Sequence, residues 1–329
     1  MSYMAKLLAG FSRLPGRVRL GEVMRRGGVY LALLIVMLAA GLISPRFLSS
    51  DNLINVLRQA SALGIVAIGQ SICMIGGGFD LSVTAIMQLT TVLMAELSVG
   101  RDERLLTTVV VCLAMGILIG LVNGVIITKR HAPSFMVTLA MSVIVTGGRL
   151  LYTGGTPSGL LPDGLRPLSQ GEVLGMPVSV VLCFGLTLIG WLVLRRTVFG
   201  RELYALGSNP EAARLSGVRV HRIGTLTFVL SGLLAAFAGL VLAAYVGYAD
   251  PWLGGGYDLD SIAAAAIGGV SLAGGKGNLW GALAGVLLIR MLMNFVLVVH
   301  LPVESQYVVR GTIIILAVAL YSITFRRRN

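Results

Sequence analysis

Acidic residues are scarce in this chain, and some of them stand in a repeated string. GGFDLSVTA at 77–85 recurs as GGYDLDSIA at 255–263, so Gly-Gly-aromatic-Asp-Leu appears twice. The residues of interest are Gly77, Gly78, Asp80 and Ser82 in the first copy and Gly255, Gly256, Asp258 and Asp260 in the second. In the first copy Gly76, Gly77 and Gly78 interrupt an apolar run, and an Asp or Ser at its resumption can accept the free backbone N–H groups of a new helix. Capping is therefore the expected role of Asp80, and likewise of Asp258 and Asp260. A weaker echo is His-x-Pro, at His131–Pro133 and His300–Pro302. Other chemistry is hard to find. Cys73, Cys112 and Cys183 sit in apolar stretches without CxxC or Cys/His spacing, and read as packing residues with neither disulfide nor metal. The nearest approach to a phosphate-binding loop, GGVSLAGGKGN at 268–278, has Val270 where the first Gly should stand and Gly277 where Ser or Thr should. It reads as a turn carrying Lys276. With no HExxH and no nucleophile elbow, no catalytic, cofactor-binding or metal-binding residue is expected.

The elements that must position these residues follow from composition. Of 329 residues 56% are apolar and 12% charged, against about 25% charged in a soluble domain, which excludes an ordinary cytosolic enzyme. Uncharged runs long enough to cross a bilayer lie at 27–45, 59–79, 105–128, 173–194 and 223–249. Five weaker segments are 81–99 with Glu96, 132–150 with Arg149, the short 260–275, 277–299 with Arg290 and 305–325 with Arg310; each could be tilted, broken or re-entrant. Gly116, Gly120 and Gly124 recur at helical spacing and would let helices approach closely. The expectation is an all-α polytopic membrane protein of about ten transmembrane helices. If all ten cross, one side holds eighteen of the 26 basic residues, and by the positive-inside rule that side is the cytoplasm, with both termini on it. Loops 248–260 and 300–304, on the other side, contain no Lys or Arg. The formal charge of +12 is thus spent on orientation, and no nucleic-acid partner is expected.

The expected organisation is a basic cytoplasmic segment 1–26, one transmembrane domain 27–325 and a basic tail 326–329. The basic segment followed by 27–45 has the outline of a leader, but the parity of basic loops works with that span retained. Within the domain the repeat suggests halves 27–155 and 173–325. An odd number of crossings per half inverts the second, the pattern by which transporters present one pathway to either side. A direct part in transport is then the alternative to capping for the repeated turns. Glu96 and Arg149 lie near span ends, where they can snorkel, while Arg290 and Arg310 are deeper and suit a salt bridge or a pathway role. The longest basic loop, 195–222, reads RRTVFGRELYALGSNPEAARLSGVRVHR. Asn209-Pro210 should open a short helix through Ala212, Ala213 and Leu215 that stops at Gly217.

Four segments carry a family resemblance: GGGFDLSV at 76–83, HAPSFMVTLAMS at 131–142, FGRELYALGSNPEAARLSGVRV at 199–220, and GGYDLDSIAAAAIGGVSLAGGKGNLWGALAGVLLI at 255–289. In order along the chain, they resemble the permease subunit of bacterial ABC sugar importers of the ribose/xylose/galactoside type. The resemblance implies the importer permease fold in the cytoplasmic (inner) membrane and a pathway for a pentose, hexose or similar solute. It implies pairing with a second copy or a sister permease, delivery of solute by a periplasmic or lipid-anchored binding protein, and drive from a separate ATP-binding cassette subunit that uses ATP and Mg. Asn209, Glu211, Ala212, Ala213 and Gly217 would form the loop that inserts into a groove on that ATPase. Thr84 departs from the family pattern, in which a Gly often follows Leu-Ser-Val. The alternative reading is an ion-coupled secondary transporter of a small polar solute, yet none of the five strongest spans carries an ionisable residue at its middle.

Overall fold

Each of the ten apolar segments contains a helix. The structure, a computed structural model, describes residues 20–156 and 159–326. In chain order the elements are α1 Leu20–Ile43, α2 Ser50–Ile75, α3 Val83–Ser98, α4 Leu105–Arg130, α5 Ser134–Thr153 and the single turn α6 Pro167–Gln170. After a two-stranded hairpin, β1 Glu172–Val173 with β2 Met176–Pro177, come α7 Val178–Arg196, α8 Val198–Ser208, α9 Pro210–Leu215, α10 Val220–Val246, α11 Tyr257–Ile267, α12 Leu279–Val298 and α13 Ser305–Arg326. Most of the basic segment 1–26 and of the tail 326–329 lies outside the described residues; from 20 to 26 the chain is already part of α1.

Six helices among the described residues are long and apolar enough to cross a membrane: α2, α4 with the turn before it, α5, α7, α10 and α12. Two of the weaker segments are shorter than expected. The segment 260–275 is helical only as far as Ile267, because Gly268 caps α11 and Gly269, at φ 90°, turns the chain away. With 11 residues α11 rises about 16 Å, half of a hydrocarbon core. α3 has 16 residues and rises about 24 Å. The segment 173–194 becomes helical only at Val178, since its first residues form the hairpin.

Two long helices organise the bundle. α2 packs on α10, α12, α7 and α11, whereas α10 packs on α4, α2 and α3. They run antiparallel: the Cys73 thiol donates to the Thr227 carbonyl at 3.5 Å, and Gln59 near the other end of α2 donates to the Tyr245 hydroxyl at 3.4 Å. α2 is mostly buried although it is the least apolar of the six, while the more apolar α4, α5 and α7 leave much of their surface uncovered. Leu106, Val110, Met136, Val143, Ile144, Ile189 and many like them are exposed. So broad an apolar surface is what a lipid-facing shell requires, and no soluble monomer carries it.

Loops gather at two ends. At the basic end the N–H of Gly275 donates to the Ile75 carbonyl, and the His221 ring meets the Thr128 carbonyl. At the other end Gly164 N–H donates to Asp102, and Ser98 to the Leu160 carbonyl. Arg149 is here a correction to expectation. Its side chain is buried and does not snorkel: the guanidinium donates to the Pro251 carbonyl and lies over the Trp252 ring, 5.5 Å from its centroid. Glu96 is half-buried and accepts from Gly159 N–H at 3.4 Å.

Candidate functional site

The loop 195–222 folds into two helices. Thr197 caps α8 by accepting from Gly200 N–H, and Asn209 caps α9 by accepting from Ala212 N–H at 3.0 Å, with Pro210 in the first turn where no N–H is needed. Glu211 and Arg214 pair at 2.7 Å on the open face, and the Glu211 carboxylate raises the pKa of the Arg214 guanidinium. Ala213 is buried, Ala212 is exposed and Leu215 is almost fully exposed. Gly217 ends the helix at φ 85°, donating to the Arg214 carbonyl at 3.0 Å. α9 thus presents a small, capped, exposed knob.

α8 ties that knob to the first repeated turn. A Cβ on Gly207 would lie 1.8 Å from the Ile75 carbonyl oxygen and 2.6 Å from Gly275 N, so the end of α8, the end of α2 and the loop before α12 meet backbone to backbone. The neighbouring Gly77 has φ 87°, in the left-handed region that only glycine enters freely. One turn earlier on the same face of α8, Tyr204 donates its hydroxyl to the Gly277 carbonyl of the loop before α12 at 2.9 Å.

From Gly77 the chain runs into a buried polar network. The Asp80 carboxylate accepts from Ser82 N–H at 3.0 Å and from the Ser82 hydroxyl at 2.6 Å, and Ser82 accepts from Asn123 of α4 at 3.0 Å. Ser134 and Thr138 of α5 accept from Phe79 and Leu81 N–H. Asp80 closes its own turn; Ser82, not Asp80, is the residue that precedes α3, and it makes no side-chain cap. Expectation is corrected there in detail, since the carboxylate organises α3, α4 and α5 through the turn and leaves the later N–H groups of α3 alone.

The second copy differs more. Gly256 rather than Gly255 takes the left-handed conformation, at φ 86°, and precedes α11. Asp258 lies in the first turn of α11 and accepts from Leu259 N–H, while its own N–H donates to Thr84 of α3 at 2.9 Å. The starts of the two short helices therefore touch, with Leu259 exposed beside them. Asp260, expected to cap, is 1% exposed and serves as counter-ion to two arginines: Arg310 at 2.9 Å and Arg290 at 4.0 Å. The Arg290 guanidinium also lies over the Tyr257 ring, 4.5 Å from its centroid. Of the two roles open to Arg290 and Arg310, the geometry supplies the salt bridge. The sequence reading did not find Asn123, Ser134, Thr138, Tyr257 or Gly207, because none has a local signature. Among the described residues no group of three His, Cys, Asp or Glu could hold a metal.

Comparison with known proteins agrees with this architecture. The family model described as "Branched-chain amino acid transport system / permease component" matches residues 52–318. The ribose import permease protein RbsC of Bacillus subtilis (strain 168) is 37% identical over 306 residues, covering 92% of this chain and 95% of the relative. RbsC of Escherichia coli (strain K12) is 38% identical over 88% of this chain and 91% of its own. The galactose/methyl galactoside import permease protein MglC of Salmonella typhimurium is 34% identical over 93% and 96%. No solved structure matches the chain.

Proposed function

The chain belongs to this family of ABC importer permeases, and on that premise we propose that it forms the translocation pathway of a binding-protein-dependent, ATP-driven importer of a pentose or hexose. The relatives' names support the sugar class. One observation carries the mechanism: the backbone contact of Gly207 with Ile75 and Gly275 joins the exposed α9 knob to the turn that bears Asp80. α9 enters a groove on the ATPase, and the basic end faces the cytoplasm. ATP-driven closure of the ATPase pair displaces α9, and α8 passes the displacement to Gly77 and then to α3. Asp258 and Thr84, at the meeting point of the short helices, lie on the pathway, where the solute needs passage rather than tight binding.

The ten helices form two inverted five-helix halves in this reading. α2 and α10 occupy matching places and run antiparallel, the starts of α3 and α11 meet, and His131 and His300 follow the matching helices α4 and α12 in the same left-handed conformation, at φ 53° and 58°. The pathway is completed by a second copy or a sister permease, and the binding protein docks on the end opposite α9.

Reconstituted with its ATPase and binding protein, the chain is expected to support ribose uptake only while ATP is hydrolysed. Uptake that survives an inactive ATPase would overturn the importer reading in favour of ion coupling. Glu211→Ala and Gly217→Pro should each reduce co-purification of the ATPase several-fold with membrane insertion unchanged. Proline at 217 cannot adopt the positive φ and removes the N–H that closes α9. Undiminished ATPase recovery with both variants would exclude α9 as the coupling element.

A further inference from the structure

We propose that the cleft between α7, α8 and the start of α12 binds the headgroup of an anionic phospholipid. The cleft encloses about 610 Å³ and is lined by Trp191, Arg195, Arg201, Tyr204, Gly277 and Asn278, among others. Two guanidinium groups face it, and among the described residues neither is paired with a carboxylate. Arg195 lies over the Trp191 ring, 5.4 Å from its centroid, which holds the cation at the rim instead of letting it swing into bulk water. The remaining polar groups are already engaged: the Tyr204 hydroxyl donates to the Gly277 carbonyl, and Asn278 accepts from Trp280 N–H to cap α12. The cleft therefore offers cationic donors without a counter-charge, the complement of a phosphodiester.

The occupant is a lipid because the cleft continues into lipid-facing surface. On α7, Phe184, Leu188, Trp191 and Arg195 follow one another at helical spacing, and Phe184, Leu188 and Leu192 are exposed. This stripe is an acyl-chain track that ends at an interfacial tryptophan and then at a charge, the order in which a membrane presents its own layers. A free phosphate would use the two arginines and leave the track empty.

The test is native mass spectrometry of the full-length chain, released from detergent after incubation with phosphatidylglycerol and phosphatidylcholine of matched chains. Phosphatidylglycerol should be retained preferentially. The double variant Arg195→Gln/Arg201→Gln should retain it roughly thirtyfold less, two basic contacts being lost, while Arg196→Gln, one residue outside the cleft, should retain it as the unmodified chain does. Equal retention of the two lipids, or undiminished phosphatidylglycerol on the double variant, would overturn the proposal. A phosphatidylglycerol with a diazirine in its acyl chain tests the unmodified protein even if the double variant does not fold. Its cross-links should map to 184–195, and labelling confined to other helices would overturn the site. Loss of the ATPase from the double variant with lipid retention intact would instead assign the cleft to that partner.

Discussion

Gly120→Val should lower the stability of the detergent-solubilised protein by about 3 kcal/mol or more, above the usual range for an over-packed core. Three glycines of α4 meet α10 with no side chain between them. A Cβ on Gly120 would lie 2.2 Å from the Phe228 carbonyl oxygen, one on Gly116 would lie 2.4 Å from that of Gly232, and one on Gly124 would lie 2.8 Å from the Thr225 Cα. Each obstacle is backbone, so no rotamer change relieves the clash and the helices must separate. The dispersion contacts of the whole α4–α10 seam then weaken together, and nothing in lipid replaces them. Gly185→Ala on α7 is the control, because a Cβ there meets nothing within 4 Å; it should be neutral or slightly stabilising, by up to about 1 kcal/mol of helix propensity. Thermal unfolding followed by size-exclusion fluorescence reads both. An unchanged midpoint for Gly120→Val would mean that the seam is not as tight as described.

Asp260→Asn should have a comparable effect by a different route. The carboxylate neutralises one of two arginines whose side chains are 11% and 21% exposed, and its loss leaves both cations in the bundle with no carboxylate. Breaking a buried pair from one side costs about 3–5 kcal/mol. The arrangement predicts a rescue as well. Arg310→Met alone should be milder than Asp260→Asn, because Asp260 keeps Arg290, and the double variant Asp260→Asn/Arg310→Met should recover part of the loss by removing one unpaired charge. Unfolding midpoints of the four proteins form a double-mutant cycle. Strict additivity of the two substitutions would sink the claim that Asp260 and Arg310 act as a pair.

Local features were legible in the sequence and non-local ones were not. The α9 helix could be read whole because its cap, first-turn proline, acidic residue and terminal glycine fall between Asn209 and Gly217. Long apolar runs located the helices because a segment of that length has no other solvent. The end of α11 was missed since the apolar run continues through Gly268 and Gly269, where hydropathy is blind to a left-handed residue. Asp260 looked like a cap because it stands near a helix start, while its partners lie thirty and fifty residues further along. The burial of Arg149 is invisible locally for the same reason: Pro251 and Trp252 reach it from beyond α10. The repeated string was visible, but equal letters do not occupy equal positions, since the buried carboxylate is Asp80 in one copy and Asp260 in the other.

The exchange of central helices also fixes an order of assembly. α2 finds its lasting neighbours in α7, α10, α11 and α12, the first of which begins about a hundred residues after α2 ends. At roughly 5–20 residues per second, α2 leaves the ribosome on the order of ten seconds before its surroundings exist. Through that interval Ser61, Gln70 and Ser71, all buried in the finished protein, lack the helices that will cover them. The amino-terminal half therefore cannot mature and wait for the other. The least apolar of the long spans must be sheltered until α12 arrives, and the bundle closes only when its synthesis is nearly over.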